Sequence, residues 1–337
     1  MSVSREWARP TVDEVADAVF RIPLPMPGNP LEAVNVYAIV SADGVGMIDG
    51  GWARPGALER LEWALGKLGK GLSDIHTVLT THFHFDHYTL AVELKRLTGC
   101  RIALGEGERR TIDQILDVGR RAGLDSFESL MLRCGLPAAH IAEHRFRGEG
   151  AGDYAHPDLW LRDGERLDIG RDILAVSTPG HTTGHFCFID EQDGLAFTGD
   201  HILPTITPSI GSESPSERMP LVDYLASLRL MADRPDARLL PAHGVVTPSV
   251  HARVGELQEH HARRLDQCVN AVADGARDTF DVAKALPWTR RGRRLSELSG
   301  MDQLMAVQET RYHLDLLQAE GRLTVDSSGP VDLYSID

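Results

Sequence analysis

Thr-His-Phe-His-Phe-Asp-His-Tyr, residues 81–88, places three histidines and an aspartate within six positions: His82, His84, Asp86 and His87. Neutral imidazole and carboxylate are ligands that borderline divalent metals take. The run just before it, Ile75–Leu79, is apolar and β-branched and predicts a buried strand. Residues 89–97 predict a helix. The histidines are therefore expected on a strand-to-helix loop, where a rigid scaffold can present them. His82 and His84 alternate and can face one metal, while Asp86 and His87 turn toward a second.

Further ligand types follow in order along the chain. His181 lies in Ser-Thr-Pro-Gly-His-Thr-Thr-Gly-His (177–185), Asp200 in Phe-Thr-Gly-Asp-His (197–201) and His243 in Pro-Ala-His-Gly (241–244). Each follows an apolar strand-like run, at 173–176, 195–197 and 239–240. Strand ends converging on one edge of a sandwich would bring five histidines and two aspartates together.

On His-x-His-x-Asp-His (82–87), Pro-Gly-His-Thr (179–182), Thr-Gly-Asp (198–200) and Pro-Ala-His-Gly (241–244), the chain resembles the metallo-β-lactamase-fold hydrolase superfamily. Ile-Asp-Gly-Gly (48–51) matches the short acidic turn that this superfamily places beneath its metals. The resemblance covers roughly residues 15–250 and implies an α/β fold, a four-layer αββα sandwich. It says much less about substrate, because one fold hosts many activities. By the family pattern, His82, His84 and His181 hold one metal, Asp86, His87 and His243 the other, and Asp200 bridges them. Such ligands suit two divalent ions, zinc first, with iron or manganese as alternatives. Two close cations can share a hydroxide that attacks a carbonyl carbon. Asp86 is placed to orient that nucleophile or carry a proton. Asp49 is expected to support a ligand histidine from behind. Tyr88 and His201 are expected near substrate, and His185 is read as structural.

Composition fits a soluble enzyme. The chain has 337 residues, 42% of them hydrophobic, enough for one large domain and a small one. Its formal charge of -14 disfavours nonspecific binding to nucleic acid or to an anionic membrane. The N-terminus has no apolar core of a secretory signal, and no apolar run reaches the ~20 residues of a membrane span. Cys100, Cys134, Cys187 and Cys268 are widely spaced and read as reduced, buried thiols. A cytoplasmic location is expected.

Strands are predicted at 34–40, 45–48, 101–104, 159–161, 173–177, 186–189, 195–198 and 238–240. Helices are predicted around Leu58–Leu68 and over 221–231. The catalytic domain is set at 1–250. Residues 106–157 form an insert with helices at 111–120 and 126–133, whose Phe127, Met131 and Leu132 could line an acyl pocket. Residues 251–337 read as helices at 253–273, 280–286 and 301–321, then a β-ribbon over 322–334. This order suggests a winged helix and resembles the small C-terminal domain of one branch of the superfamily. That branch includes glyoxalase II-like proteins, lactamase-β-like endoribonucleases and polyketide thioesterases.

The leading expectation is hydrolysis of a thioester or carboxylic ester of a small molecule. The alternatives are an endoribonuclease or phosphodiesterase, a cytoplasmic lactonase and a mononuclear-iron persulfide dioxygenase. The basic run Arg290-Arg291-Gly292-Arg293-Arg294 keeps nucleic acid in view. Against it, the segment 301–321 carries Asp302, Glu309, Asp315 and Glu320 beside Arg311 alone, whereas a recognition helix should bring cations to phosphates. A homodimer is expected from the appended domain.

Overall fold

A computed structural model describes residues 5–117, 122–144, 153–211 and 218–336. A first sheet runs in chain order β1 (Asp13–Ala16), β2 (Val19–Pro25), β3 (Ala33–Ser41), β4 (Gly44–Ile48), β5 (Ile75–Leu79), β6 (Arg101–Gly105) and β7 (Leu159–Leu161). β1 to β4 pair antiparallel, and β4 to β7 pair parallel. The parallel half requires crossovers, which helices α1 (Ala57–Lys67) and α2 (Phe85–Thr98) supply. A third helix, α3 (Arg109–Leu116), opens the insert, followed by α4 (Ala122–Arg133) and α5 (Ala138–His144). The second sheet has the spatial order β12 (Arg238–Pro241), β11 (Leu195–Gly199), β10 (Phe186–Asp190), β9 (Asp172–Ser177), β8 (Arg166–Asp168).

Period-2 alternation sets the layers. On β3, Tyr37 and Ile39 point into a core shared with Phe186, Phe188 and Phe197 of the second sheet. Val34, Val36 and Ala38 point the other way, against Leu61 and Leu65 of α1 and Leu90 and Leu94 of α2. In the second sheet, Val176, Cys187, Ile189 and Leu239 face away from the shared core yet are buried, so its outer face is covered too. This is the αββα sandwich that the resemblance implies.

Predicted and observed strands agree to within a residue or two, except that β1, β2 and β8 went unpredicted. The helix after the histidine motif starts at Phe85 rather than Thr89. Asp86 and His87 therefore sit on its first turn, not on a loop. The end of the helix expected at 111–120 lies outside the described residues.

The chain divides into two compact units. One holds Met1–Val118, Glu149–Pro208 and Ser227–Val254, and with them both sheets. The other holds Gly119–Gly148, Ser209–Ala226 and Gly255–Asp337. Helix α6 (Pro220–Asp233) and helix α7 (Val250–Ala273) each supply residues to both. Within the second unit, α8 (Thr279–Ala285), α9 (Gly300–Ala319) and a ribbon of β13 (Thr324–Asp326) and β14 (Leu333–Ser335) complete the chain. Asp332 ties this unit together: its buried carboxylate accepts from Arg133 and Arg311, and its N–H donates to the Arg133 carbonyl. Half of α9 is buried, including Leu304, Val307, Leu314 and Leu317. Met131 is fully buried as well, so it serves packing and does not line an open acyl pocket.

Candidate metal centre

Each ligand candidate follows a strand or opens a helix at one end of the sandwich. β5 ends at Leu79, and Thr80 is fastened to β6 through the Ala103 carbonyl by both its N–H (2.9 Å) and its hydroxyl (2.6 Å). His82 and His84 follow at once, then Asp86 and His87 on α2. His181 lies in the turn after β9, which is closed by Thr178 N–H to the His185 carbonyl (2.9 Å) and Gly180 N–H to the Thr182 carbonyl (3.0 Å). Asp200 follows β11 through Gly199, whose φ of +49° suits a residue without a side chain. A β-carbon there would lie 2.7 Å from His185 Nε2 and from Thr81 Oγ1. His243 follows β12.

The structure gathers these side chains into two clusters whose candidate ligand atoms lie within 4.8 Å of one another: His82, His84, His181 and Asp200, and Asp86, His87 and His243. In the first, His82 Nε2 is 2.8 Å from His84 Nδ1 and 3.2 Å from His181 Nε2, and His181 Nε2 is 3.0 Å from His84 Nδ1. One shared proton can join two of these nitrogens but leaves the third lone pair opposed, whereas one cation satisfies all three. In the second, His243 Nε2 is 3.3 Å from Asp86 Oδ2, and His87 Nε2 is 3.7 Å from the same oxygen. Asp200 gives one oxygen to each cluster. Its Oδ2 is 3.6 Å from His181 Nε2, and its Oδ1 is 3.4 Å from His243 Nε2 and 3.6 Å from His87 Nε2.

Outer partners decide which ring nitrogen faces inward. His87 Nδ1 lies 2.9 Å from Asp49 Oδ2, and His243 Nδ1 lies 2.8 Å from the Ala33 carbonyl. Neither oxygen can donate, so both Nδ1 atoms carry a proton and both Nε2 atoms face inward, where each offers a lone pair once its ring is neutral. Thr81 donates its hydroxyl to Asp49 (3.0 Å) and accepts from His82 Nδ1 (3.1 Å), which gives His82 the same orientation. Asp49 also accepts the Thr81 N–H at 2.8 Å. Asp49 itself sits at φ +60°, a region that Asp tolerates better than most residues. His185 Nε2 accepts the Asp200 N–H (3.3 Å), and its Nδ1 donates to Thr178 Oγ1 (2.9 Å). His185 is thus structural, as expected, and positions the shared aspartate.

The electrostatics call for cations. Asp49, Asp86 and Asp200 are all buried, and buried carboxylates need a counter-charge. Burial alone would raise the Asp86 carboxyl, but the His87 and His243 imidazoles hold it well below the usual range. Burial would lower His87, yet Asp49, Asp86 and Asp200 push it up to about 10. Burial, then the neighbouring imidazoles of His87, His84 and His181, keeps His82 well below the usual histidine value. His87 Nε2, His243 Nε2 and Asp200 Oδ1 are buried with no hydrogen-bond partner among the described residues. Orphaned ligand atoms, a surplus of carboxylate and imidazole lone pairs aimed inward fit two metal ions.

Two expected substrate contacts are corrected. Tyr88 is fully buried in the core beneath α2, stacks on Tyr154 and donates its hydroxyl to the Ala155 carbonyl at 2.8 Å. With its proton committed and its ring inside, it cannot meet an oxyanion. His201 is fully buried, so it has no face open to substrate. Sequence reading missed Thr81, whose hydroxyl links Asp49 to His82; its only sequence signal was its place before the motif.

Comparison with known proteins gives a family model described as the metallo-beta-lactamase superfamily, matching residues 29–243. A probable metallo-hydrolase of Bacillus subtilis (strain 168) is 25% identical over 298 residues, covering 86% of this chain and 89% of that protein. An atrochrysone carboxyl ACP thioesterase of Paecilomyces divaricatus is 28% identical over 189 residues, covering 50% of this chain and 57% of that protein. Among solved structures, a metallo-beta-lactamase family protein of Thermus thermophilus superposes with a TM-score of 0.79 at 29% identity, covering 96% of this chain and all of that one.

Proposed function

We propose, for a chain that belongs to the metallo-beta-lactamase superfamily and is a metal-dependent hydrolase, that the substrate is a thioester or carboxylic ester of a small molecule. The observation that carries a two-ion hydrolytic centre is Asp200, with one carboxylate oxygen on each of two imidazole-rich clusters. His82, His84 and His181 would hold one divalent ion, and Asp86, His87 and His243 a second, with Asp200 between them. Zinc suits this donor set best. When bound, such ions supply Lewis acidity and activate water at neutral pH.

The chain's own residues do the remaining work. Asp49 and the Ala33 carbonyl keep His87 and His243 in the ligating tautomer. Asp86 lies beside His243 at the junction of the clusters and is the group to orient a nucleophile or carry its proton. His84 is only half-buried, unlike the other six residues, so substrate approaches from its side. No serine or cysteine nucleophile is required. All four cysteines are buried, and burial pushes the Cys187 and Cys268 thiols up to about 12.

The thioesterase named among the relatives supports a thioester substrate. The charge of -14, and an α9 whose Arg311 is committed to Asp315 and Asp332, speak against nucleic acid. Elemental analysis joined to a hydrolysis panel tests the reading. The panel holds acyl-glutathione, acyl-coenzyme A, lactones, nitrocefin, a bis-aryl phosphodiester and single-stranded RNA. Two zinc ions per chain with thioester or ester turnover is expected. One iron without hydrolysis, or cleavage of RNA alone, would overturn it.

A further inference from the structure

Glu108 is a buried acid that the metal centre does not use. It is fully enclosed, on the short 3-10 turn Glu106–Glu108 between β6 and α3. Glutamate is rarely enclosed without a partner, and here Thr182 donates its hydroxyl to Glu108 Oε1 at 2.5 Å. Thr182 is buried and directly follows His181.

The backbones on either side of this bond touch. A β-carbon on Gly105 would lie 2.1 Å from the Gly184 carbonyl oxygen, and one on Gly107 would lie 2.7 Å from the Gly184 Cα. At Gly184 it would lie 2.4 Å from the Glu108 nitrogen. Three glycines therefore let residues 105–108 lie flat against 183–184. The His181 turn is bonded from its other end by Phe186 N–H to the Thr81 carbonyl (2.8 Å) and from outside by Ser227 Oγ to the Pro179 carbonyl (2.8 Å).

We propose that Glu108 is a positioning residue for His181, acting through Thr182. The carboxylate fixes the Thr182 rotamer, which fixes the turn, which aims His181 Nε2 at His82 and His84. The role needs an acceptor oxygen at Oε1 rather than a charge, so Glu108→Gln preserves it and Glu108→Ala does not. The inference rests on the two-metal reading for its consequence, since the lost alignment falls on the His82–His84–His181 cluster alone. Outer partners of metal ligands are typically worth ~10–100-fold in affinity.

The experiment measures both metal affinities by chelator competition in the wild type, Glu108→Ala, Glu108→Gln, Thr182→Val and the Ala/Val double variant. The expected result is about tenfold or greater weakening of one metal in Glu108→Ala and in Thr182→Val. The other metal should be unchanged, the double variant no worse than the weaker single, and Glu108→Gln near wild type. Unchanged affinity in Glu108→Ala would overturn the proposal. So would an equal loss of both metals that tracks a lower melting temperature and is not rescued by glutamine. Imidazole NMR of the metal-free proteins separates the two readings: a wild type that holds no metal sinks the two-metal reading. The Glu108 role then stands if the His181 signals move in Glu108→Ala and not in Glu108→Gln, and falls if they do not.

Discussion

Asp49→Asn is the sharpest probe of how the second cluster is held. The substitution keeps the volume, and Asn tolerates the φ of +60° at this position, so backbone strain adds nothing. What changes is acceptor count. Asp49 accepts from Thr81 N–H, from the Thr81 hydroxyl and from His87 Nδ1. An amide has one oxygen and two N–H donors. If that oxygen stays on Thr81, the amide N–H faces His87 Nδ1. The ring must then move its proton to Nε2, where it points into the cluster and blocks ligation. If the amide flips, Thr81 loses its acceptor. Either way one charge-assisted hydrogen bond of about 1.5–3 kcal/mol is lost. For an outer partner of a metal ligand this reads as ~10–100-fold weaker binding, or about 1.4–2.7 kcal/mol. Chelator competition should show that loss for one metal, with the other metal nearly unaffected. Thermal melting of the metal-free protein should fall by much less than its metal-loaded counterpart. Two metal affinities equal to wild type would refute the tautomer argument.

His84→Ala should remove most bound metal and hydrolysis while leaving far-UV circular dichroism unchanged, because His84 is the half-buried member of its cluster; full metal content would contradict its role. Asp86→Asn should lower turnover ~10²–10⁴-fold if the residue moves a proton, beyond the stability lost with the carboxylate that His87 and His243 face, and full activity would remove that role. Tyr88→Phe should cost about 1 kcal/mol of stability, from one buried hydrogen bond to the Ala155 carbonyl, and leave kcat unchanged; a large loss of kcat would return Tyr88 to the site. Burial would raise the Asp332 carboxyl, but hydrogen bonds from Ser327, Arg133 and Arg311 hold it below the usual range. Its contribution is therefore present above the unfolded value of ~3.9 and lost as pH falls through the lower folded value. Asp332→Asn should destabilise the protein at pH 7 and flatten that acid limb in denaturant titrations, and an unchanged limb would show that Asp332 is not its source.

Most of the site was legible because its signals are local. Ligand chemistry is a property of residue type, and a strand followed by His82, His84, Asp86 and His87 needs no knowledge of the rest of the chain. The apolar runs that became β3, β4, β5 and β9 to β12 are continuous or alternating, and such runs choose their own conformation. β1 and β2 were harder to see, since Arg21, Pro23 and Pro25 interrupt the pattern. Arg21 is accommodated only because Asp13, Asn35 and the Trp7 carbonyl surround its guanidinium.

By itself, then, the sequence determined the candidate ligand set, the sandwich and the metal-dependent hydrolase that follows from them. Three things were decided only by tertiary structure. Because α2 begins at Phe85, one further residue turns the side chain by about 100°, and Tyr88 points to the core while Asp86 and His87 face the cluster. The hydrogen-bond partners around the candidate ligands come from far along the chain: the Ala33 carbonyl for His243, and Glu108 for Thr182 beside His181. Residues 122–144 pack with 255–336 in one compact unit, although much of the unit that holds both sheets lies between them in the sequence. No local pattern records such pairings, because a hydrogen bond or a buried face depends on which segments meet, and only the folded chain brings them together.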